Sequence, residues 1–138
     1  YVFGTTSADE GFLVFCTPAG GDQTAEVEHL SSGYLFRAGA LRRLATAERR
    51  NTRDAATGGV QRIEIEATDA DGRELTVVGE AASRMALGTG GLCINTFLRF
   101  DVGGGDGPIR TGWGEDQDVW SYARFAAMRS AVASVATG

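Results

Sequence analysis

The chain has 138 residues, 43% of them apolar and 22% charged, and carries a formal net charge of −5. That length fits a single domain, 1–138, able to bury most of the surface its unfolded chain exposes, and the balance is that of a globular chain rather than a disordered one. The acidic surplus excludes the clustered cations that a nucleic-acid backbone requires, and no apolar run reaches bilayer-spanning length.

All thirteen basic residues are Arg, as GC-rich bacterial codon use produces, which rules out a Schiff-base lysine within this chain. The N-terminus lacks a basic-then-apolar leader, and the first residue is Tyr1 and not Met, which reads as a trimmed or partial chain. Twenty Gly against two Pro predict short strands joined by tight turns. Cys16 and Cys93 lack the spacing of a metal knuckle and are too few for a disulfide scaffold. They read as free, buried thiols of a reduced, cytoplasmic protein. A single His29, beside acids in Glu26-Val-Glu-His-Leu30, excludes a multi-His metal centre and reads as a surface residue.

Alternation with period two dominates the chain. It predicts strands over 1–5, 11–16, 32–37 and 41–50, with Arg37-Ala-Gly-Ala40 as a hairpin tip. The clearest hairpin follows. Ile63, Ile65 and Ala67 alternate with Arg62, Glu64 and Glu66 over 60–68, Asp69-Ala-Asp-Gly72 supplies turn chemistry, and 73–83 returns antiparallel. Over 92–102, Leu92, Ile94, Thr96, Leu98 and Phe100 share one face. Cys93, Asn95, Phe97, Arg99 and Asp101 share the other, whose mixed polarity fits either a strand lining a hydrated pocket or an edge strand with a solvated face. A glycine-rich loop follows over 103–108. It lacks the Lys-Ser/Thr and βαβ setting of a phosphate cradle. Helical spacing of Val119, Tyr122, Phe125, Met128 and Val132 predicts a short amphipathic helix over 118–132, capped by Asp116 or Asp118 and covering a barrel end or sheet face.

The densest chemistry lies in Thr111-Gly-Trp-Gly-Glu-Asp-Gln-Asp-Val-Trp120. A carboxyl held against Trp in a dry pocket has its pKa raised and can act as a general acid. Glu115, Asp116 and Asp118 are therefore the candidate catalytic residues, and Trp113 and Trp120 candidate walls around an apolar ligand. The bland alternative makes the acids helix-capping charges and the tryptophans core anchors. Asn95, Phe97, Arg99 and Tyr34 complete the candidate ligand-binding set. Calcium on Glu115, Asp116 and Asp118, or on Asp101 with Asp106, lacks the full ligand spacing, so no metal is expected. A Ser-His-Asp hydrolase has no nucleophile elbow to support it. An inward network of Arg84 or Arg99 with Glu80 is less expected than a rim salt bridge.

The order Gly33-Tyr-Leu-Phe-Arg-Ala-Gly39, Asp69-Ala-Asp-Gly-Arg-Glu-Leu75 with Gly79-Glu80, and Gly112-Trp-Gly-Glu-Asp-Gln-Asp-Val-Trp120 resembles an uncharacterised family of actinobacterial and proteobacterial proteins. That family is similar to the two-part lipocalin-like superfamily of carotenoid 1,2-hydratases, tocopherol cyclase-like proteins and fungal Diels–Alderases, and the likeness falls on its C-terminal half. The resemblance implies hydration, cyclisation or isomerisation of isoprenoid-, steroid- or polyketide-like molecules without a redox cofactor, in a barrel or between two halves. Of its residues, only Glu115, Asp116, Asp118 and the two tryptophans carry over, without an assigned role.

The expected fold is mainly β: a lipocalin-like antiparallel β-barrel or curled β-sandwich of seven to nine strands with a C-terminal helix. The expected function is cofactor-independent acid–base chemistry on a hydrophobic small molecule. The alternatives are a non-catalytic carrier of such a ligand, or a structural domain docking on a partner half. The expected partners are an apolar ligand and a second copy, a partner subunit or an N-terminal half. An enzyme needs a buried carboxyl inside its pocket. A docking domain needs a filled core and a large apolar patch outside.

Overall fold

The computed structural model describes residues 1–18, 27–88, 91–105 and 107–136. Eight strands run up and down in chain order and close into one antiparallel barrel: β1 (Val2–Ser7), β2 (Glu10–Pro18), β3 (Val27–Arg37), β4 (Ala40–Arg53), β5 (Val60–Asp69), β6 (Glu74–Gly88), β7 (Leu92–Gly103) and β8 (Arg110–Trp120). Closure through the β1–β8 pairing leaves no open sheet edge. A C-terminal helix, α1 (Tyr122–Ala136), completes the chain. No helix among the described residues is long and apolar enough to cross a membrane.

The predicted 60–83 hairpin forms in register, with Ile65 opposite Val77 and Ala67 opposite Leu75. Gly72 takes a φ of 78° in its turn, and Asp69 Oδ1 accepts the backbone N–H groups of Asp71 and Arg73 at 2.8 and 2.9 Å.

The barrel interior holds a packed apolar core that includes Val14, Leu35, Ile65, Val77 and Leu98 and reaches Ile63 and Val60, which pair with Asn51 and Arg53. Phe100 is the largest fully buried side chain. Its ring fits because three inward positions around it are glycine. A Cβ at Gly4, Gly79 or Gly114 would lie 2.5–2.8 Å from Phe100 ring carbons, well inside van der Waals contact. Phe12 meets the same ring edge-on at 5.2 Å. Below the core, Glu10 accepts from Thr6 Oγ1 at 2.6 Å, Arg37 Nε at 2.7 Å and Arg110 Nη2 at 2.8 Å. This cluster sits at the hairpin end of the lumen.

The segment 110–120 differs from its expected form. It is a full strand, and the helix starts only at Tyr122. Ser121 begins that helix: its Oγ accepts the N–H of Arg124 at 3.3 Å and its carbonyl accepts that of Phe125 at 3.0 Å. Asp116 and Asp118 therefore cap nothing, and Val119 lies exposed on β8. Phe125, Met128, Ala131 and Val132 form the covered face of α1. Met128 packs on the β4–β5 turn at Gly58, and Arg129 donates to the Ala56 carbonyl. The helix thus sits against the end of the barrel opposite Glu10.

Candidate functional site

Strand β8 alternates strictly. Gly112, Gly114, Asp116, Asp118 and Trp120 face the lumen, while Trp113, Glu115, Gln117 and Val119 face outward. Asp116 is fully buried. Its Oδ1 accepts from Arg49 Nη2 at 2.7 Å, and its Oδ2, equally buried, has no hydrogen-bond partner among the described residues. Two residues on, Asp118 Oδ2 accepts from Arg53 Nη1 at 2.6 Å. The Arg53 guanidinium also lies over the Trp120 ring, 5.4 Å from its centroid.

Both arginines come from β4, the strand diametrically opposite β8 in an eight-stranded ring. Arg49 and Arg53 therefore reach across the lumen, where each meets a carboxylate. Glu28 on β3 adds a second acceptor for Arg49 at 3.1 Å. A β-bulge between Leu44 and Thr46 shifts the parity of β4. Beyond it Ala47, Arg49, Asn51 and Arg53 all take the inward face, sharing it with Ile65 and Ile63, which pair with Arg49 and Asn51. Without that extra residue the arginines would point to water.

The network contains two guanidiniums and three carboxylates, so one negative charge is left in excess. Burial dominates at Asp116 and pushes its carboxyl up to about 6, against the attraction of Arg49 and with further upward pressure from Asp118. At Asp118 burial acts in the same upward direction, but the charge and hydrogen bond of Arg53, with Arg49, overcome it and hold the carboxyl below its usual range. Arg49 is raised further still: burial opposes its charge, and Asp116, Glu28 and Asp118 outweigh that opposition. The pair of aspartates is thus split, with Asp116 taking a proton at higher pH than Asp118. Burial also pushes the Cys16 thiol up to about 11, partly opposed by Arg49, which leaves it a neutral, unreactive group.

Further polar atoms in this upper lumen are buried without a partner among the described residues: both amide atoms of Asn51, Nε of Arg49 and Nε1 of Trp120. Such groups are costly when unpaired and usually serve a water or a ligand. Together with Asp116 Oδ2 they supply three donor nitrogens and two carboxyl or amide oxygens within one half of the barrel.

The sequence-derived candidates divide between the two sides of the wall. Asp116, Asp118 and Trp120 are brought together inside. Glu115 is outside, paired in register with Phe3 and Phe97, and cannot act in the lumen. Trp113, 60% exposed, is also outside, so the two tryptophans cannot wall one ligand. Asn95, Phe97 and Arg99 occupy the outer face of β7. That face is solvated rather than pocket-lining, although β7 is no edge strand. There Asn95 Oδ1 accepts from Gln117 Nε2 and Cys93 Sγ, each at 3.1 Å. Tyr34 is also on the outer wall, where it lines an apolar groove with Phe3, Leu13, Phe15 and Phe36. Glu80 pairs outside with Arg62, and Arg84 instead donates to the Val60 carbonyl. Asp106, named with Asp101 as a cation pair, lies outside the described residues. Among those described, no group of three or more His, Cys, Asp or Glu is placed to hold a metal ion.

Arg49, Asn51 and Arg53 escaped sequence reading, which ended the strand at 50. Their signal was present as cations and an amide at spacing two, but the bulge hid the parity. No protein-family model matches the chain, and neither a curated protein nor a solved structure shows significant similarity to it.

Proposed function

We propose that the upper lumen binds a hydrophobic small molecule carrying one polar handle, and that Asp116 performs cofactor-independent acid–base chemistry on it, as a hydratase, isomerase or cyclase. One observation carries the reading: a fully buried carboxyl whose Oδ1 is fixed by Arg49 while Oδ2 is unpartnered, with its pKa lifted to about 6. A general acid works best with a pKa near the working pH. In this reading Asp116 gives its Oδ2 proton to an alkene carbon or a leaving hydroxyl. The carboxylate that forms is stabilised by Arg49, already in place at 2.7 Å. It then recovers a proton from the adding water or from the neighbouring carbon, which closes the cycle. Asn51 and Trp120 Nε1 orient the polar handle. Arg53 occupies one face of Trp120, so that ring acts as wall and donor more than as a cation stabiliser.

A carrier reading, with binding and no turnover, uses the same residues. Titration of terpenoid, steroid and polyketide-like ligands against tryptophan fluorescence tests both in a Trp113→Phe background, where Trp120 is the one remaining tryptophan. Saturable quenching, with turnover lost in Asp116→Asn, supports the enzyme. Quenching that Asp116→Asn leaves intact, without turnover of any bound ligand, leaves the carrier. Absence of quenching across the panel refutes both.

A further inference from the structure

A molecule bound in the upper lumen needs a way in, and the ring offers few. Every strand is hydrogen-bonded to both of its neighbours, so the described wall has no lateral opening. At the hairpin end, Glu10 with Arg37 and Arg110, and behind them Phe12 on Phe100, fill the interior. The route that remains passes the opposite end, where Asp118 and Trp120 lie. Among the described residues, α1 is the one regular element there that is not part of the ring.

The helix is held lightly. Of its side chains from 122 to 134, Met128 alone is buried, while Phe125, Ala131 and Val132 are half-buried and the rest are exposed. Met128 seats on Gly58, whose φ of 73° suits glycine and where a Cβ would lie 2.9 Å from the Met128 Cε. Arg129 adds a hydrogen bond to the Ala56 carbonyl. At the other end the helix joins β8 through Ser121, which is exposed and belongs to no strand. An element with so few buried apolar contacts belongs to the part of a fold that opens locally, before the rest unfolds.

The seat, by contrast, is firm. Asp54 Oδ1 accepts both the N–H and the hydroxyl of Thr57 at 2.7 Å, and the Asp54 carbonyl accepts the Gly58 N–H at 2.7 Å. Arg53 Nη1 donates to the Gly58 carbonyl at 3.2 Å and to Asp118 Oδ2 at 2.6 Å, and its guanidinium lies over the Trp120 ring. One cation therefore ties the turn beneath Met128 to the buried aspartates. With the turn anchored on both sides, the helix is the part free to move.

We infer that α1 is a lid on the upper lumen, swinging about Ser121 with Met128 as its catch, and that it lifts to admit small molecules to Trp120 and Asp118. Closed, it keeps water from the Arg49–Asp116 pair, where exclusion of solvent strengthens every charge interaction. Its role as an entrance rests on the lumen being a binding site; the motion itself is visible without any ligand.

Acrylamide quenching of Trp120 in the Trp113→Phe chain tests the inference, because this small, uncharged quencher needs no binding site. Ala56→Cys and Arg129→Cys, with Cys16 and Cys93 replaced by Ser, are joined by a short bismaleimide across the gap that the Arg129 side chain spans. Joining them should lower the quenching constant of Trp120 relative to the same chain before cross-linking. Met128→Ala, which weakens only the closed state, should raise the quenching constant and speed amide exchange in α1 about tenfold, with exchange in β5 and β6 unchanged. A quenching constant that cross-linking leaves unchanged overturns the inference, whether or not Met128→Ala folds. So do α1 amides that exchange only together with those of β5 and β6. Terpenoid, steroid or polyketide-like ligands that enter the cross-linked and free chains at equal rates refute the lid and leave the proposed function. A lid that opens in a chain binding none of them refutes that function and leaves the lid.

Discussion

Replacing Arg49 by Met tests whether the cross-barrel network is what holds the upper lumen. Arg49 is 2% exposed and is the shared cation of Asp116 at 2.7 Å and Glu28 at 3.1 Å. Met has similar length and fills the space, so the dominant loss is charge. Removing one member of a buried pair strands its partner, at a cost of about 3–5 kcal/mol. With a urea slope of about 2 kcal/mol/M, the denaturation midpoint should fall by roughly 1.5–2.5 M. The double variant Arg49→Met/Asp116→Leu removes both partners of the closer pair and should recover most of that loss, giving a coupling energy of about 2 kcal/mol or more. Acidification supplies a second signature. In Arg49→Met, Asp116 has lost its nearest cation and takes a proton in the folded state well above the ordinary unfolded carboxyl pKa of about 3.9. The folded state then binds more protons than the unfolded one, so the single variant should regain stability as pH falls from 7 to 5. A loss of about 1 kcal/mol or less in Arg49→Met, or single losses that simply add in the double, would refute the claim that Arg49 and Asp116 act as one buried unit.

Asp116 itself should leave a mark on wild-type stability. Its folded pKa is raised from 3.8 to about 6, so its contribution is fully present below the unfolded value and is lost as pH rises through that window. Relative to Asp116→Asn, wild type should weaken between pH 4 and 6 and run parallel above it; coincident profiles in guanidinium titrations would contradict the shift. Asp118 has the opposite sign, because its pKa is lowered. Its contribution holds above the unfolded value and is lost below about pH 4, so Asp118→Asn should flatten the acid limb of the same curve. Gly79→Ala places a Cβ 2.5 Å from Phe100 and 2.9 Å from Ile63. Overpacking of this kind costs about 1–3 kcal/mol; a thermal melt should show the loss, and Phe100→Leu in the same chain should return part of it. Glu10→Gln removes the carboxylate between Arg37 and Arg110, whose side chains are 29% and 41% exposed. Solvent screening limits the cost to about 1 kcal/mol, read as a small shift of the urea midpoint that salt diminishes.

Local order was largely legible from the chain. The Asp69–Gly72 turn and the alternation of Ile63, Ile65 and Ala67 specify a hairpin by themselves, because turn chemistry and a period of two are properties of neighbouring residues. The division of β7 into the Ile94–Phe100 face and the Asn95–Arg99 face was equally plain. Its assignment was not: alternation says that two faces differ, and only the closed sheet says which one is inside. The same limit parted Asp116 and Asp118 from Glu115, and Trp120 from Trp113. The segment 110–120 lacks the apolar alternation of a strand because its inward positions are glycine and aspartate, and their reasons lie on other strands. Gly114 makes room for the Phe100 ring, while Asp116 and Asp118 answer arginines 67 and 65 residues away. Those arginines face inward because one bulge at Leu44–Thr46 turns the parity of β4, and they reach β8 because eight strands in a ring place the fourth opposite the eighth. The composition determined an acidic, glycine-rich β domain with a carboxyl cluster near Trp120. Closure of the barrel decided which carboxyl is buried, what charge faces it, and therefore which one takes a proton at higher pH.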